Sequence, residues 1–206
     1  MRIAVINEVS ARDKNKFIIE ALGQVDAEVH NIGMNENAES PELTYIHTGL
    51  AAALSLASGA ADFVVGGCGT GQVFLLSAMQ YPGVYCGLIT SPLDAWLFSQ
   101  INGGNCLSLA LNKGFGWAGD IELKYIFEKL FSDAPGQGYP PHRGESQRES
   151  RGVLAKINGI THRDFVSIIK SLDKEIINTL LKHSMFVNFI ERYAVKGELS
   201  GTILNN

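Results

Sequence analysis

The stretch that most restricts how this chain can fold runs from Ala61 to Gly71, A-D-F-V-V-G-G-C-G-T-G. Phe63, Val64 and Val65 form the continuous apolar run of a strand covered on both faces, as parallel strands are. Gly66, Gly67, Gly69 and Gly71 then permit a sharp turn and close approach of a ligand to the backbone. The residues from Gln72 to Gln80 predict a helix, whose first amides, those of Gly69, Thr70, Gly71 and Gln72, would face an anion. Cys68 sits inside that turn, where helix-end amides would favour its thiolate.

Around this turn the chain alternates strands and helices. Ile3–Ile6 predicts a strand, and a helix follows from about Arg12 to Leu22. A second strand spans Ala27–Ile32, a polar loop Met34–Glu42, and a helix runs from Pro41 to Leu56 with Leu43, Ile46, Leu50 and Leu54 on one stripe. After the central turn, Val84–Ile89 is a fourth strand. A helix starts at Ser91-Pro92 and reaches about Ile101, Cys106–Leu111 is a fifth strand, and a helix from Asp120 to Phe131 turns Ile121, Tyr125, Ile126 and Leu130 inward. Alternation over residues 1–131 predicts a parallel, doubly wound α/β sheet with helices on both faces, its site beyond the carboxyl ends of the strands. The loops at Asn7-Glu8, Cys68–Gly71, Thr90-Ser91 and Asn112 lie at that edge.

Residues 132–152 are rich in Pro, Gly and charge and read as an arm or linker without a core of its own. Thr161 then resembles a helix cap, and the apolar spacing from Phe165 to Ile190 suggests two or three short helices ending near Lys196. These form a C-terminal helical extension, residues 153–206, expected to support a dimer or cover the site. Trp96 and Trp117 read as core residues.

Composition narrows the partners. With 17 Lys and Arg against 21 acids the net charge is -4, which disfavours nucleic acid or an anionic membrane surface and favours a small ligand or another protein. Neither a long apolar run nor a signal peptide is present, so a cytoplasmic location is expected. Cys68, Cys86 and Cys106 show neither disulfide nor zinc-site spacing, and Cys86 and Cys106 read as inert core thiols. No cofactor is called for.

Known phosphate and nucleotide turns fit poorly. Phe74 stands where a dinucleotide fingerprint needs its third glycine, and the Gly-Lys-Ser/Thr of a Walker loop is absent. Phe74 also replaces the arginine that a phosphatase-type thiolate loop would carry. G-C-G-T-G is similar to the first motif of class I methyltransferases, but Val65 takes the place of its acid, and Thr90-Ser91 follows the next strand where a ribose-binding acid belongs.

The ordered set Asp62, Cys68-Gly69-Thr70-Gly71, Tyr45 at the head of the second helix, Ser91-Pro92 and Gln100-x-Asn102-x-x-Asn105 resembles the family of ribose-5-phosphate isomerase type B and the galactose-6-phosphate isomerase subunits. The resemblance covers about residues 2–131, and the extension resembles that of a longer bacterial branch. It implies a Rossmann-like three-layer sandwich with a five-stranded parallel sheet, a homodimer or higher homo-oligomer with sites between subunits, a sugar-phosphate substrate and no metal. Cys68 matches the family's base for aldose–ketose isomerisation. Thr70 and the amides of Gly69, Gly71 and Gln72 would hold the enediolate oxygen.

The departures fall at the substrate. The family's Asp-His after the first strand reads Glu8-Val9, and its His-Asn before the fifth strand reads Ile101-Asn102, so the phosphate-facing and ring-opening histidines are replaced by apolar residues. Glu8, Tyr45, His47 and Asn102 are the remaining candidates for sugar contacts. Arg143 and Arg148, with His142, stand where the family's phosphate-binding arm lies, at a different spacing. Two functions remain open on this reading, a sugar-phosphate aldose–ketose isomerase and a non-catalytic sugar-phosphate binding protein.

Overall fold

The computed structural model describes residues 1–37 and 41–205. Five parallel strands, β1 (Arg2–Asn7), β2 (Glu28–Asn31), β3 (Phe63–Cys68), β4 (Cys86–Ile89) and β5 (Cys106–Ala110), form one sheet in the order β2-β1-β3-β5-β4. All five expected strands are present. The chain leaves β1 toward β2 on one side, and then crosses to β3 on the other, so the direction of winding reverses between β1 and β3. Loops at such a reversal diverge and open a crevice. Asn7 is opposite Gly67 and Cys68 opposite Ala110, so the loops after β1, β3 and β5 leave the sheet at one level.

Alternate residues of each strand enter different layers. Ile3, Val5, Val65, Leu107 and Leu109 meet α1 (Asn15–Leu22), α4 (Pro92–Leu97) and α5 (Gly119–Leu130) on one face. Ala4, Ile6 and Val64 meet α2 (Tyr45–Ala57) and α3 (Gln72–Ala78) on the other. The four short helices α7 (Phe165–Ser171), α8 (Lys174–Leu181), α9 (Ser184–Tyr193) and α10 (Glu198–Leu204) join this second layer, burying Ile169, Ile177, Leu180, Phe186, Phe189 and Ile203 in the same core as Leu50 and Leu54. The extension therefore packs on α2 of its own chain. Its end is tied to the sheet edge where Arg2 Nη1 donates to Tyr193 O at 3.2 Å and the Tyr193 hydroxyl donates to Glu28 at 2.9 Å.

Several expectations need correction. The second helix starts at Tyr45 rather than Pro41, because Thr44 caps it and the Leu43 carbonyl accepts the Val9 amide at 3.0 Å. The loop expected at Met34–Glu42 agrees where it is described; its residues 38–40 lie outside the described residues. A 3-10 segment, Val9–Lys14, occupies the first turn expected of α1, and a π-helical turn, Phe98–Asn102, prolongs α4. In α5 the buried stripe is Leu123, Ile126, Phe127 and Leu130, whereas Ile121 and Tyr125 are exposed. Trp117 is fully exposed. Trp96 is half-buried and donates its indole N–H to Asp133 at 2.8 Å.

Within the arm expected at 132–152, an 18-residue helix, α6 (Gly144–Thr161), begins. Thr161 ends this helix instead of capping the next, and Asp164 is the cap, accepting the Ser167 amide at 2.8 Å. Along α6, Val153, Leu154, Ile157 and Ile160 form an exposed apolar stripe.

Candidate functional site

Cys68 is the last residue of β3 and is 2% exposed. Its Sγ lies 4.0 Å from Thr70 Oγ1. The turn that follows depends on glycine at one point above all. Gly71 has φ +73°, and a Cβ there would lie 2.5 Å from Leu88 Cδ1 and 3.1 Å from the Ala110 nitrogen. Gly66 and Gly67 serve packing rather than a ligand: a Cβ on Gly66 would enter the buried Phe74 ring, and one on Gly67 would meet the Leu109 carbonyl at 2.6 Å. Phe74, which spoils the dinucleotide and phosphatase patterns, is thus the side chain that seats α3 on β3.

Of the four amides expected to face an anion, two are occupied within the protein. Gly69 N–H donates to Ser10 Oγ at 3.2 Å, and Gln72 N–H donates to Thr70 Oγ1 at 3.3 Å. The amides of Thr70 and Gly71 have no partner among the described residues. Because Thr70 Oγ1 accepts from Gln72, its own proton remains for the Cys68 sulfur or for a ligand.

The loop after β1 borders this turn. The Glu8 amide donates to the Gly67 carbonyl at 3.1 Å, and Glu8 is buried at 5% exposure, not a solvated loop carboxylate. Its Oε1 accepts the Ser10 hydroxyl. A buried array of asparagines fixes the loop from beneath: Asn7 Nδ2 donates to Ala11 O and to Met34 O, and Asn15 Nδ2 donates to Asn7 Oδ1 at 2.6 Å. From the end of β5, Asn112 N donates to Gly69 O at 2.9 Å and Asn112 Nδ2 to Ser10 O at 2.8 Å.

Tyr45 and His47 stand at the start of α2. Tyr45 is 38% exposed. His47 is engaged in the helix cap, its Nδ1 accepting the Thr44 amide at 3.2 Å. Burial holds its imidazole below the ordinary value, against an opposing pull from the Glu175 carboxylate.

The other expected residues lie elsewhere. Asn102 lines a cleft of about 560 Å³ with Met79, Phe98, Ile101, Arg151 and Leu154. Cys86, the first residue of β4, also lines it, so the cleft opens at the amino edge of the sheet. Cys86 pairs in register with Cys106, four residues before Ala110, the partner of Cys68. Roughly 13 Å of strand therefore separates the level of the cleft from that of the cysteine turn within one chain.

Arg143 and Arg148 are exposed and do not line this cleft. Arg148 reaches Gln137 O at 3.5 Å and Arg143 reaches Ser146 Oγ at 3.3 Å. Arg151 is the charged residue of the cleft that sequence reasoning missed. Its guanidinium donates to Ile101 O at 2.7 Å and Gly136 O at 2.8 Å, and so pins α6 to the turn carrying Asn102. Ser10 was missed as well, although its position two residues after Glu8 at the end of a strand was the available signal. Cys106 is an inert thiol, pushed well up by burial and by its neighbour Cys86, which is half-buried. Among the described residues no group of three or more metal-ligating side chains occurs, and no helix is long and apolar enough to cross a membrane.

Comparison with known proteins adds to this geometry. The family described as Ribose/Galactose Isomerase matches residues 3–132. A 4-deoxy-L-threo-5-hexosulose-uronate ketol-isomerase, solved with a tartrate, is 39% identical over 100% of both chains, with a TM-score of 0.96. A ribose-5-phosphate isomerase from Vibrio parahaemolyticus is also 39% identical, covering 100% of this chain and 98% of its own, with a TM-score of 0.95. Ribose-5-phosphate isomerase B of Clostridium thermocellum, at 22% identity and a TM-score of 0.65, covers 79% of this chain and 100% of its own and shares the fold. Curated proteins gave no match.

Proposed function

Since this chain belongs to the ribose/galactose isomerase family and is a sugar isomerase, we propose that it interconverts an aldose and a ketose through an enediolate, with Cys68 as the base. The reading is carried by the Cys68 thiol beside the Thr70 hydroxyl, next to two unpartnered amides at the crevice where the sheet reverses. Isomerases at 39% identity over the full chain leave the non-catalytic alternative without support.

The Cys68 thiolate takes the proton from the carbon next to the carbonyl, and the electron pair moves to the carbonyl oxygen. The amides of Thr70 and Gly71, with the Thr70 hydroxyl, receive that developing oxyanion. One such preorganised donor contributes roughly 3 kcal/mol to the transition state. A proton moves between the two enediolate oxygens, and the thiol returns its proton to the neighbouring carbon. Glu8 is the carboxylate near this turn and would hold or shuttle the hydroxyl proton. Gly69 and Gln72 shape the turn, and Tyr45 and His47, at the head of α2, would reach the sugar from that side.

The site is completed between two chains. Asn102 and Arg151 lie at the opposite edge of the sheet from Cys68, so one chain cannot bring them together, whereas a second copy can. The exposed stripe Val153, Leu154, Ile157 and Ile160 on α6 supplies an apolar face for that copy. The arm that carries Arg143 and Arg148 would then approach the partner's cysteine turn.

The substrate is an anionic sugar, a phosphate of the ribose 5-phosphate or galactose 6-phosphate type. A sugar acid is the second reading, favoured by three observations. Arg151 is the one charged residue among those lining the Asn102 cleft, and two of its donors are already spent on backbone carbonyls; a phosphate dianion calls for more positive charge than a carboxylate. Val9 and Ile101 offer no proton for phosphate or ring, and a neighbour at 39% identity is named for a uronate. Assaying isomerisation of both sugar phosphates and of an open-chain keto-deoxyuronate by proton NMR separates the readings. Turnover confined to one class assigns the substrate, and no turnover of any aldose or ketose in either class defeats the isomerase reading.

A further inference from the structure

Three neighbouring strands, β1, β3 and β5, are linked just past their carboxyl ends through the peptide that follows Cys68. Gly69 N–H donates to Ser10 Oγ at 3.2 Å, while the Ser10 hydroxyl donates to the buried Glu8 carboxylate. The chain of bonds runs in one direction, from amide to hydroxyl to carboxylate, and each member polarises the next. On the other side, Asn112 N–H donates to Gly69 O at 2.9 Å, and its side-chain amide closes the ring on Ser10 O at 2.8 Å. The Cys68 carbonyl is held too, accepting the Leu111 amide at 3.0 Å.

These bonds decide where the free donors point. In a trans peptide the carbonyl and the N–H lie on opposite sides. With Gly69 O fixed toward Asn112, the Thr70 N–H of the same peptide is directed away from Asn112. Ser10 also withdraws the Gly69 amide from any ligand. The oxyanion donors are thereby reduced from the four amides expected of the turn to the two at Thr70 and Gly71.

We propose that Ser10 and Asn112 are positioning residues: they clamp the Gly69 peptide between the loops after β1 and β5, aim the Thr70 amide at the enediolate oxygen, and couple Glu8 to the cysteine turn. This rests on the isomerase reading of the same site. Neither side chain needs to touch the sugar. Ser10 acts on the Gly69 N–H directly, whereas the Asn112 side chain acts through Ser10, whose carbonyl it holds, and the Asn112 backbone N–H fixes Gly69 O.

The test is made on the full chain with Ser10→Ala, Ser10→Thr and Asn112→Ala. Ser10 is exposed, so the threonine methyl has room and the alanine leaves no buried cavity. Two readouts are taken, amide hydrogen exchange at Gly69 by NMR and steady-state kinetics on the sugar that the parent protein turns over. The expected result for Ser10→Ala is faster Gly69 exchange and kcat lowered about 10- to 100-fold with KM within about twofold, as misaimed groups cost; Asn112→Ala keeps its backbone bond to Gly69 O, loses only its hold on Ser10 O, and moves both readouts the same way by less. Ser10→Thr restores both. Unchanged Gly69 exchange in Ser10→Ala overturns the clamp, and faster exchange with unchanged kcat overturns its role in catalysis. A parent protein that isomerises no sugar defeats the isomerase reading by itself, and the Gly69 exchange still decides the clamp.

Discussion

Replacing Gly71 by alanine separates the two reasons a glycine is required after Thr70. The first is conformational: Gly71 has φ +73°, and an L-residue held there costs roughly 1–2 kcal/mol. The second is steric. The new Cβ would lie 2.5 Å from Leu88 Cδ1 and 3.1 Å from both Ala110 N and Leu109 C, and while the leucine can rotate, the two β5 backbone atoms cannot. Overpacking of this kind adds about 1–3 kcal/mol. Gly83 is the matched control, with φ +74° and nothing within 4 Å of its added Cβ. Gly83→Ala carries the first cost alone, and the gain from a stiffer unfolded chain is common to both variants. Urea unfolding should therefore show Gly71→Ala less stable than Gly83→Ala by about 1–3 kcal/mol, or roughly 2–12 °C in Tm for a chain of this size. Gly71→Ala should also lose isomerase activity, since the displaced peptide carries one of the two free amides. Equal destabilisation by the two substitutions would refute the steric half of this argument.

If the proposed two-chain site forms through the α6 stripe, Ile157→Asp should run as a monomer in sedimentation velocity where the parent protein runs as an oligomer, and lose turnover, while far-ultraviolet circular dichroism stays the same, because α6 buries little against its own chain. Arg151→Met should raise KM and loosen the arm, read as faster proteolysis near Gly136, as both of its carbonyl contacts are lost. His183 is buried at the start of α9, its Nε2 has no partner among the described residues, and burial pushes its folded value below the ordinary 6.5, against the opposing effect of a hydrogen bond that the ring donates to the Ile32 backbone. Below pH 6.5 the unfolded chain thus takes a proton that the folded chain refuses. Stability is full above that pH, falls as the pH drops through it, and levels off once the folded value is passed. His183→Gln should flatten that part of a urea-midpoint profile, leaving the slope that His47 contributes with the same sign.

The sheet was legible because each strand is a short apolar run, and Phe63–Val65 with its glycine turn placed the crevice directly. The phase of α5 was not. Its sequence carries two overlapping apolar stripes, and the choice of Leu123 and Phe127 over Ile121 and Tyr125 is made by contact with α1 and α4. The helix α6 escaped notice because its first half buries almost nothing and so shows no apolar period. For the same reason Thr161, the end of that helix, looked like the start of another. At the candidate site, the motif already set Cys68 beside Thr70. Ser10 and Arg151 were not legible, and Asn112 was placed at the edge but not given its bonds, since each acts on backbone atoms that only the folded chain brings near. That Glu8 is buried was not legible either, because nothing in the sequence shows the asparagine array beneath its loop.

The central claim, that Cys68 is the base of an enediolate isomerisation, is tested most directly in heavy water, with the parent protein and Cys68→Ala compared on the panel of sugar phosphates and uronates. The account predicts deuterium at the carbon next to the carbonyl in one class of sugar, and none when Cys68 is removed. Exchange that persists in Cys68→Ala would contradict it and place the base elsewhere in the crevice, with Glu8 the first residue to examine.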